Sequence, residues 1–348
     1  MKTTRYIDDI LSQPEALSAA LGGFDAETLG STVRRIETGA IDRIVVTGMG
    51  GSYFAGYPAW LLLAAAGSPA WWVEASELVH HVPALVTPKT LLWILSQSGR
   101  SAEIRALLDL VRQAKRAPAC ILATTNDGDG PLAQQADLTL LLNAGSEHTV
   151  ATRTFLNTLA VTQLAALALA SQPLQAAQRD LRHSLEAVQA YLAAWKENLD
   201  QIARTVGAPE RLVIVGRGLS LASALAGALV IKEAAKFNAE GMSAAQFRHG
   251  PLELADPRLT VLVLEGEGEA GVMNRRLMRD LLGYRAQAVW LSAQTDPSLP
   301  CICLPEGSGP GLPIAQIVPL QLLSVHLALT GGFEPCAFRH SGKVTLTE

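Results

Sequence analysis

Charge is scarce in this chain. Asp, Glu, Lys and Arg make up 17% of its 348 residues, while apolar residues reach 49%. An average globular domain carries roughly a quarter charged residues. The shortfall excludes a mainly disordered chain, which would be charged and poor in apolar groups, and it excludes a coiled coil. Basic clusters are missing as well. With a net charge of −4 and no long Lys/Arg run, the chain has no electrostatic footprint for nucleic acid. A small phosphorylated ligand stays open, because backbone amides and hydroxyls hold phosphate without net positive charge. Cysteine is sparse: Cys120, Cys301, Cys303 and Cys336 are too few for a disulfide scaffold. Without a CxxC pair or a nearby histidine, no zinc site or other metal is expected. A membrane-length apolar run is also lacking. The longest, residues 155–170, contains Asn157, Thr158, Thr162 and Gln163 and ends at Ser171-Gln-Pro173. It reads as a buried core helix. The N-terminal stretch is polar and acidic, with no signal-peptide h-region. The expected compartment is the reducing cytoplasm, with no membrane partner.

What is present is a repeated α/β pattern. The length suits about two domains. Residues 1–40 read as two helices from the spacing of Leu11, Ala16, Leu17, Ala20 and Leu21 and of the stretch 28–36. A buried strand at 43–47 then runs into Gly48-Met-Gly-Gly-Ser52 and an apolar helix at 53–66. Strands follow at 70–73, 90–95, 119–124 and 138–142, with a helix turn at 76–81 and helices at 101–114, 150–170 and 174–206. After Gly207-Ala-Pro209 the plan restarts: a strand at 211–215, the turn Gly216-Arg-Gly218 and a helix at 221–236. Further strands are expected at 260–264, 288–292 and 302–304, and a last helix at 316–329. Continuous apolar strands between helices predict parallel sheets covered on both faces. The repeat period is about 165–170 residues, with Arg211 falling 168 after Arg43.

Four segments carry chemistry-bearing residues, each with a plainer structural account beside it. Ser96-Gln-Ser-Gly-Arg-Ser101 links an apolar strand to a helix, gathering hydroxyls and amides at a helix N-terminus suited to phosphate; the plainer account is an N-cap by Ser98 or Ser101. Gly48-Met-Gly-Gly-Ser52 permits close backbone approach where α/β sheets bind ligands, or serves as a tight packing turn. It is not a dinucleotide fingerprint, since residue 53 is Tyr. Glu233, in Lys232-Glu233 of an apolar helix, and His249, in a Gly-Pro turn, suit proton transfer at a carbon next to a carbonyl. Burial would raise the pKa of Glu233; alternatively Glu233 is a surface residue paired to Lys236. Finally, Lys343 lies near the chain end, where a lysine is normally solvated.

Together these segments resemble the sugar isomerase (SIS) domain family, and within it the isomerase half of the glutamine–fructose-6-phosphate aminotransferases. Gly50-Gly51-Ser52 matches the family's first phosphosugar loop. Ser96–Ser101 matches its SQSGET-like loop. Glu147-His-Thr-Val-Ala-Thr152 resembles an E-x-x-V-A-S/T segment that lines the sugar site. The resemblance covers nearly the whole chain and implies two tandem SIS domains, each a parallel sheet in a three-layer α/β/α arrangement. The expected division is N-terminal helices at 1–40, one domain at 41–200, a second at 208–330, and a tail at 331–348 closing over the active site. The resemblance also implies roles. Gly50, Gly51, Ser52, Ser96, Gln97, Ser98 and Ser101 would bind the sugar phosphate. Val150 and Thr152 would contact the sugar. His249 would open the hexose ring, reaching in from a neighbouring subunit of a homodimer. Glu233 would move a proton between C1 and C2, and Lys343 would sit over the open-chain sugar as a candidate imine-forming amine.

Departures from the family pattern matter. No glutaminase segment or N-terminal nucleophilic cysteine is present, so nitrogen is not expected to come from glutamine. Val230 stands one turn before Glu233, where the synthases carry a lysine. Arg100 replaces an acidic residue, either strengthening phosphate binding or meeting an acidic part of another substrate. The expected function is an amino-sugar-phosphate deaminase/isomerase that interconverts glucosamine 6-phosphate with fructose 6-phosphate and ammonia. No metal or organic cofactor is required, because the imine supplies the electron sink. The rival enzyme is a deglycase for fructosamine 6-phosphates, which Val230 fits. The rival of another class is a non-catalytic phosphosugar sensor.

Overall fold

The computed structural model describes residues 3–112, 117–340, 342–345 and 347. The expected extension of a helix to Ala114 falls partly outside them. The chain opens with α1 (Arg5–Leu11), α2 (Gln13–Gly23) and α3 (Gly30–Glu37), with a 3₁₀ turn at Ala26–Leu29. Three helices thus occupy the stretch read as two. The extra break falls at Ser12, the C-cap of α1, while Asp25 accepts from the Glu27 amide at 2.9 Å and starts the 3₁₀ turn.

The alternating plan follows as β1 (Arg43–Gly48), α4 (Gly50–Ala65), β2 (Ala70–Glu74), α5 (Ala75–His80), β3 (Thr90–Leu95), α6 (Ala102–Val111), β4 (Cys120–Thr125), α7 (Pro131–Gln135) and β5 (Leu138–Leu141). Then come α8 (Arg153–Leu169), α9 (Gln175–Ala193) and α10 (Trp195–Val206). The second round runs β6 (Arg211–Gly216), α11 (Ser220–Ala235), β7 (Ala239–Ser243), α12 (Ala244–Phe247), β8 (Leu259–Leu264), α13 (Gly268–Gly283), β9 (Gln287–Ser292), β10 (Cys301–Cys303) and α14 (Leu312–Thr330). Four of these elements were not foreseen: the short helices α7 and α12, the strand β7 and the helix α13. β7, AEGMS, has no β-branched or aromatic residue and gains its conformation from pairing with β6. α13 starts in a Gly/Glu stretch and is held by Leu277, Met278 and Leu281 against the core. α14 begins earlier than its apolar spacing suggests, because Pro313 suits a helix's first turn.

The first sheet has strand order β2-β1-β3-β4-β5, and the second reads β7-β6-β8-β9-β10 from its corresponding edge. All pairings are parallel. The duplication expected from the sequence is therefore carried through strand order. β3 and β8 are buried at every residue, as expected of strands covered on both faces. The first sheet packs two apolar layers, one around Trp93, Val46 and Leu63 and another around Leu92, Ile94 and Leu107. The second builds its own around Trp290, Val261 and Phe247.

The chain forms two units that are discontinuous in sequence. One holds the first sheet, with residues 15–147, 153–178 and 340–348. The other holds the second sheet, with residues 1–14, 148–152 and 179–339. α8 is polar at Thr154, Asn157, Thr158, Thr162 and Gln163 yet buried at each of them. Thr158 and Thr162 donate to carbonyls one turn back, at 2.7 and 2.6 Å. Asn157 Nδ2 donates to the Ala16 and Leu142 carbonyls, each at 2.8 Å. Among the described residues, one helical stretch, Gly309–Thr330, is long and apolar enough to cross a membrane, and its most apolar window is 83% buried.

Candidate functional site

In the first sheet, chain order reverses between β1 and β3. From β1 the chain steps to β2 on one side, and from β3 to β4 on the other. Such a switch point leaves a crevice beyond the carboxyl ends of the strands, where α/β sheets bind ligands. The two glycine- and serine-rich segments flank it. Gly48 closes β1, and a Cβ there would meet the Leu95 carbonyl oxygen at 2.7 Å. The turn therefore lies tight against β3. Gly50, Gly51 and Ser52 form the first turn of α4, whose N-cap Met49 supplies no side-chain cap. Their amides face the ligand end of the sheet with the positive pole of a 16-residue helix.

The Ser96–Ser101 loop is built from its own hydroxyls. Ser96 Oγ accepts from the Gly99 amide at 3.1 Å, and Ser98 Oγ from the Arg100 amide at 3.2 Å. The Gln97 carbonyl accepts from the Asn126 amide at 3.0 Å and from Thr125 Oγ1 at 3.2 Å. Gly99 sits at φ +63°, where a Cβ would strike the Leu132 Cβ at 2.7 Å. Neither serine caps α6. Ser101 occupies the N-cap position without a side-chain cap bond, and its Oγ is buried with no hydrogen-bond partner among the described residues. A buried hydroxyl left open at a helix N-terminus fits an anion acceptor. Arg100 does not point a free charge at that acceptor. Its Nε and Nη2 donate to Asp127 Oδ2 at 3.1 and 2.7 Å.

Lys343 is not the solvated terminal lysine of the plainer account. Its Nζ lies 2.9 Å from Glu147 Oε2, and the Glu147 side chain has no exposed surface. The same carboxylate accepts from the Thr154 amide at 3.2 Å and from Thr154 Oγ1 at 2.7 Å. Two residues on, the Thr345 carbonyl accepts from the Ala102 amide at 3.1 Å. That amide belongs to the first turn of α6, beside the serine loop. The tail is thus tied to both segments within one unit. Ser341 lies outside the described residues, as do Leu346 and Glu348.

The second-sheet unit carries the other predicted residues. Glu233 is exposed near the end of α11 rather than buried. Lys236 Nζ donates to the Glu233 carbonyl. His249 is exposed in the turn after α12, its amide donating to the Gln246 carbonyl at 2.9 Å. Val150 and Thr152 are buried, as is Val230. Cys336 is buried beside Val150, and burial pushes its thiol up to about 12. The carboxylates of Glu233 and Asp9 add to that shift, and a backbone hydrogen bond from Val150 opposes it. Sequence reasoning did not assign Asp9 and Asp127, and it named Glu147 only as the first residue of the segment ending at Thr152, with no role of its own. Asp9 left one signal, a carboxylate among the apolar positions Tyr6, Ile7 and Ile10 of α1.

Residues 40–168 and 208–331 match the SIS domain. The chain belongs to the SIS domain family. A glutamine–fructose-6-phosphate aminotransferase (isomerizing) of Thermococcus kodakarensis is 31% identical over 354 aligned positions, covering 98% of this chain and 58% of that relative. The chain thus spans little more than half the length of the curated relatives it matches. Among solved structures, the C-terminal domain of a glucosamine-fructose-6-phosphate aminotransferase from Francisella tularensis superposes with a TM-score of 0.86 at 23% identity, over 96% of this chain and 98% of that one. A glucosamine-6-phosphate deaminase from Thermotoga maritima gives 0.77 at 18% identity, over 99% and 100%. At these identities both likenesses show the shared fold.

The two SIS domains differ at their switch points. Where the first offers Ser96 and Ser98, the second has Glu265 and Glu267 after β8. Glu265 accepts from Ser292 Oγ and pairs with Arg275 at 3.6 Å. Glu267 Oε1 takes the Gly309 amide at 2.8 Å. Carboxylates thus stand in the second domain where the first has hydroxyls.

Proposed function

We propose that this SIS protein is an amino-sugar-phosphate deaminase/isomerase, converting glucosamine 6-phosphate and water to fructose 6-phosphate and ammonia, or running the reverse. The observation that carries this reading is the pairing of Lys343 with the buried Glu147 in the unit that holds the open Ser101 hydroxyl. An amine beside a phosphate loop suits chemistry at the carbonyl of an open-chain sugar phosphate. Ser52, Ser96, Gln97, Ser98 and Ser101, with the Gly50 and Gly51 amides, hold the phosphate. Val150 and Thr152 contact the sugar. His249, supplied by the neighbouring subunit of a homodimer, opens the ring. Glu233 takes the proton from C2 and returns it to C1, and the resulting C2 imine hydrolyses to release ammonia. Residues 331–348 act as the tail that closes the site.

The second reading is a deglycase acting on fructosamine 6-phosphates. It is favoured by Val230, whose buried apolar side chain stands where the synthases carry a lysine.

Purified protein incubated with glucosamine 6-phosphate should release ammonia and fructose 6-phosphate in equal amounts. E233Q should keep hexose-phosphate binding and lose turnover by about 10²–10⁴-fold, the span of general acid–base catalysis. Turnover only with fructosamine 6-phosphates would select the deglycase. Binding of a hexose phosphate with no turnover of either series would select a sensor.

A further inference from the structure

The N-terminal helix lies outside both segments that match the SIS domain, yet it reaches a segment the proposed chemistry needs. Residues 148–152 have no helical or strand conformation. No regular backbone ladder fixes them, so their position depends on side-chain anchors. Asp9 supplies one. Its Oδ2 accepts from Thr149 Oγ1 at 2.7 Å and from the His148 amide at 3.3 Å. The Asp9 carboxylate is itself buried, at 5% exposure, so it depends on these donors as they depend on it.

The helix that presents Asp9 is fastened on either side. Tyr6 Oη lies 2.8 Å from Ser324 Oγ, and Gln13 Nε2 donates to Gln321 Oε1 at 2.8 Å. Both partners are buried on α14; Tyr6 stands one turn before Asp9 on α1, and Gln13 opens α2 just beyond the end of that helix. Beyond the anchor, Val150 makes a backbone hydrogen bond to Cys336. Asp9, Thr149, Val150 and Cys336 therefore form one continuous support within the second-sheet unit.

We infer that Asp9 is a positioning residue: it fixes residues 148–152 so that Val150 and Thr152 meet the open-chain sugar. The inference deepens the proposed function and rests on it for the sugar contact. The role is one of hydrogen-bond acceptance, which an asparagine oxygen can also fill.

Hydrogen exchange and steady-state kinetics on the full chain test it together. D9A should speed exchange of the amides in residues 148–152 by about tenfold or more and leave the Ser96–Ser101 loop unchanged. Its kcat for glucosamine 6-phosphate should fall by about 10²-fold, the loss typical of a misplaced contact, with KM within about threefold. D9N should stay near wild type. T149V removes the shorter of the two bonds from the other partner and keeps the test open if D9A folds poorly; it should shift exchange and kcat in the same direction as D9A, and the double variant should lose no more than D9A. Unchanged exchange in both D9A and T149V would overturn the inference, as would faster exchange with unchanged kcat. A wild-type protein that turns over no amino sugar phosphate would instead remove the proposed function, while faster exchange in D9A would still uphold the anchor.

Discussion

Lys343 Nζ and Glu147 Oε2 are 2.9 Å apart, although 196 positions separate them in the chain, and the Glu147 side chain is wholly buried. A carboxylate out of water needs donors for its lone pairs. Thr154 provides two of them and Lys343 a third. The ammonium is held where the tail meets the first turn of α6. This single contact converts a terminal lysine into a placed amine.

Removing either partner should therefore have linked effects. K343M and E147Q should each lower kcat by about 10²-fold or more, and the double variant should be no worse than K343M. Stability should separate them. K343M removes one charged donor from a buried carboxylate, a loss below the roughly 3–5 kcal/mol of a fully buried pair, because Lys343 keeps some exposure. Adding E147Q to K343M should recover part of that loss in urea unfolding.

The phosphate loop should divide into binding and framework hydroxyls. Among the described residues Ser101 Oγ has no hydrogen-bond partner, so S101A should weaken hexose 6-phosphate binding by about tenfold, one charge-assisted hydrogen bond, with an unchanged melting temperature. Ser96 Oγ accepts from the Gly99 amide. S96A should weaken binding and also lower the melting temperature. Calorimetry with a hexose 6-phosphate and a thermal scan on each variant distinguish the two.

Arg100 should matter little. Its guanidinium is half-exposed and paired with Asp127, and such surface pairs contribute about 0–1 kcal/mol. R100A should change KM by less than about threefold. D127A, by contrast, frees the guanidinium beside the loop. It should tighten phosphate binding in a manner that salt abolishes.

Alkaline pH should destabilise the fold through Cys336. Its thiol is raised from an ordinary 9.0 to about 12, chiefly by burial. Between those values the unfolded chain loses a proton that the folded chain keeps. Stability should hold below pH 9 and fall as pH rises toward 12, by at most about 1.4 kcal/mol per pH unit from this group. Urea unfolding of wild type and C336A across this range checks the slope. Cys336 should resist a thiol reagent at pH 8 until the protein is unfolded.

Much of the fold was legible because its signals are local. Leu91-Leu-Trp-Ile-Leu95 and Leu212-Val-Ile-Val215 are apolar runs bounded by glycine turns, and both are central strands. β7 was not legible, since AEGMS has no strand propensity and is recruited by an edge of β6. The serine loop was readable as a phosphate cradle, but not which hydroxyl stays open. Ser98 and Ser101 are alike in sequence, and only packing directs Ser98 Oγ to the Arg100 amide while leaving Ser101 Oγ without a partner among the described residues. Arg100 read as a free cation because Asp127 is 27 positions away.

The sequence by itself determined the two-fold α/β plan, the parallel sheets and the family, because period, glycine turns and short motifs are written in consecutive residues. The partners of its charges were decided only by tertiary structure. Lys343 with Glu147, Arg100 with Asp127, and Asp9 with Thr149 are joined across 196, 27 and 140 positions. An ion pair or hydrogen bond depends on distances of about 3 Å, and chain folding alone sets those distances.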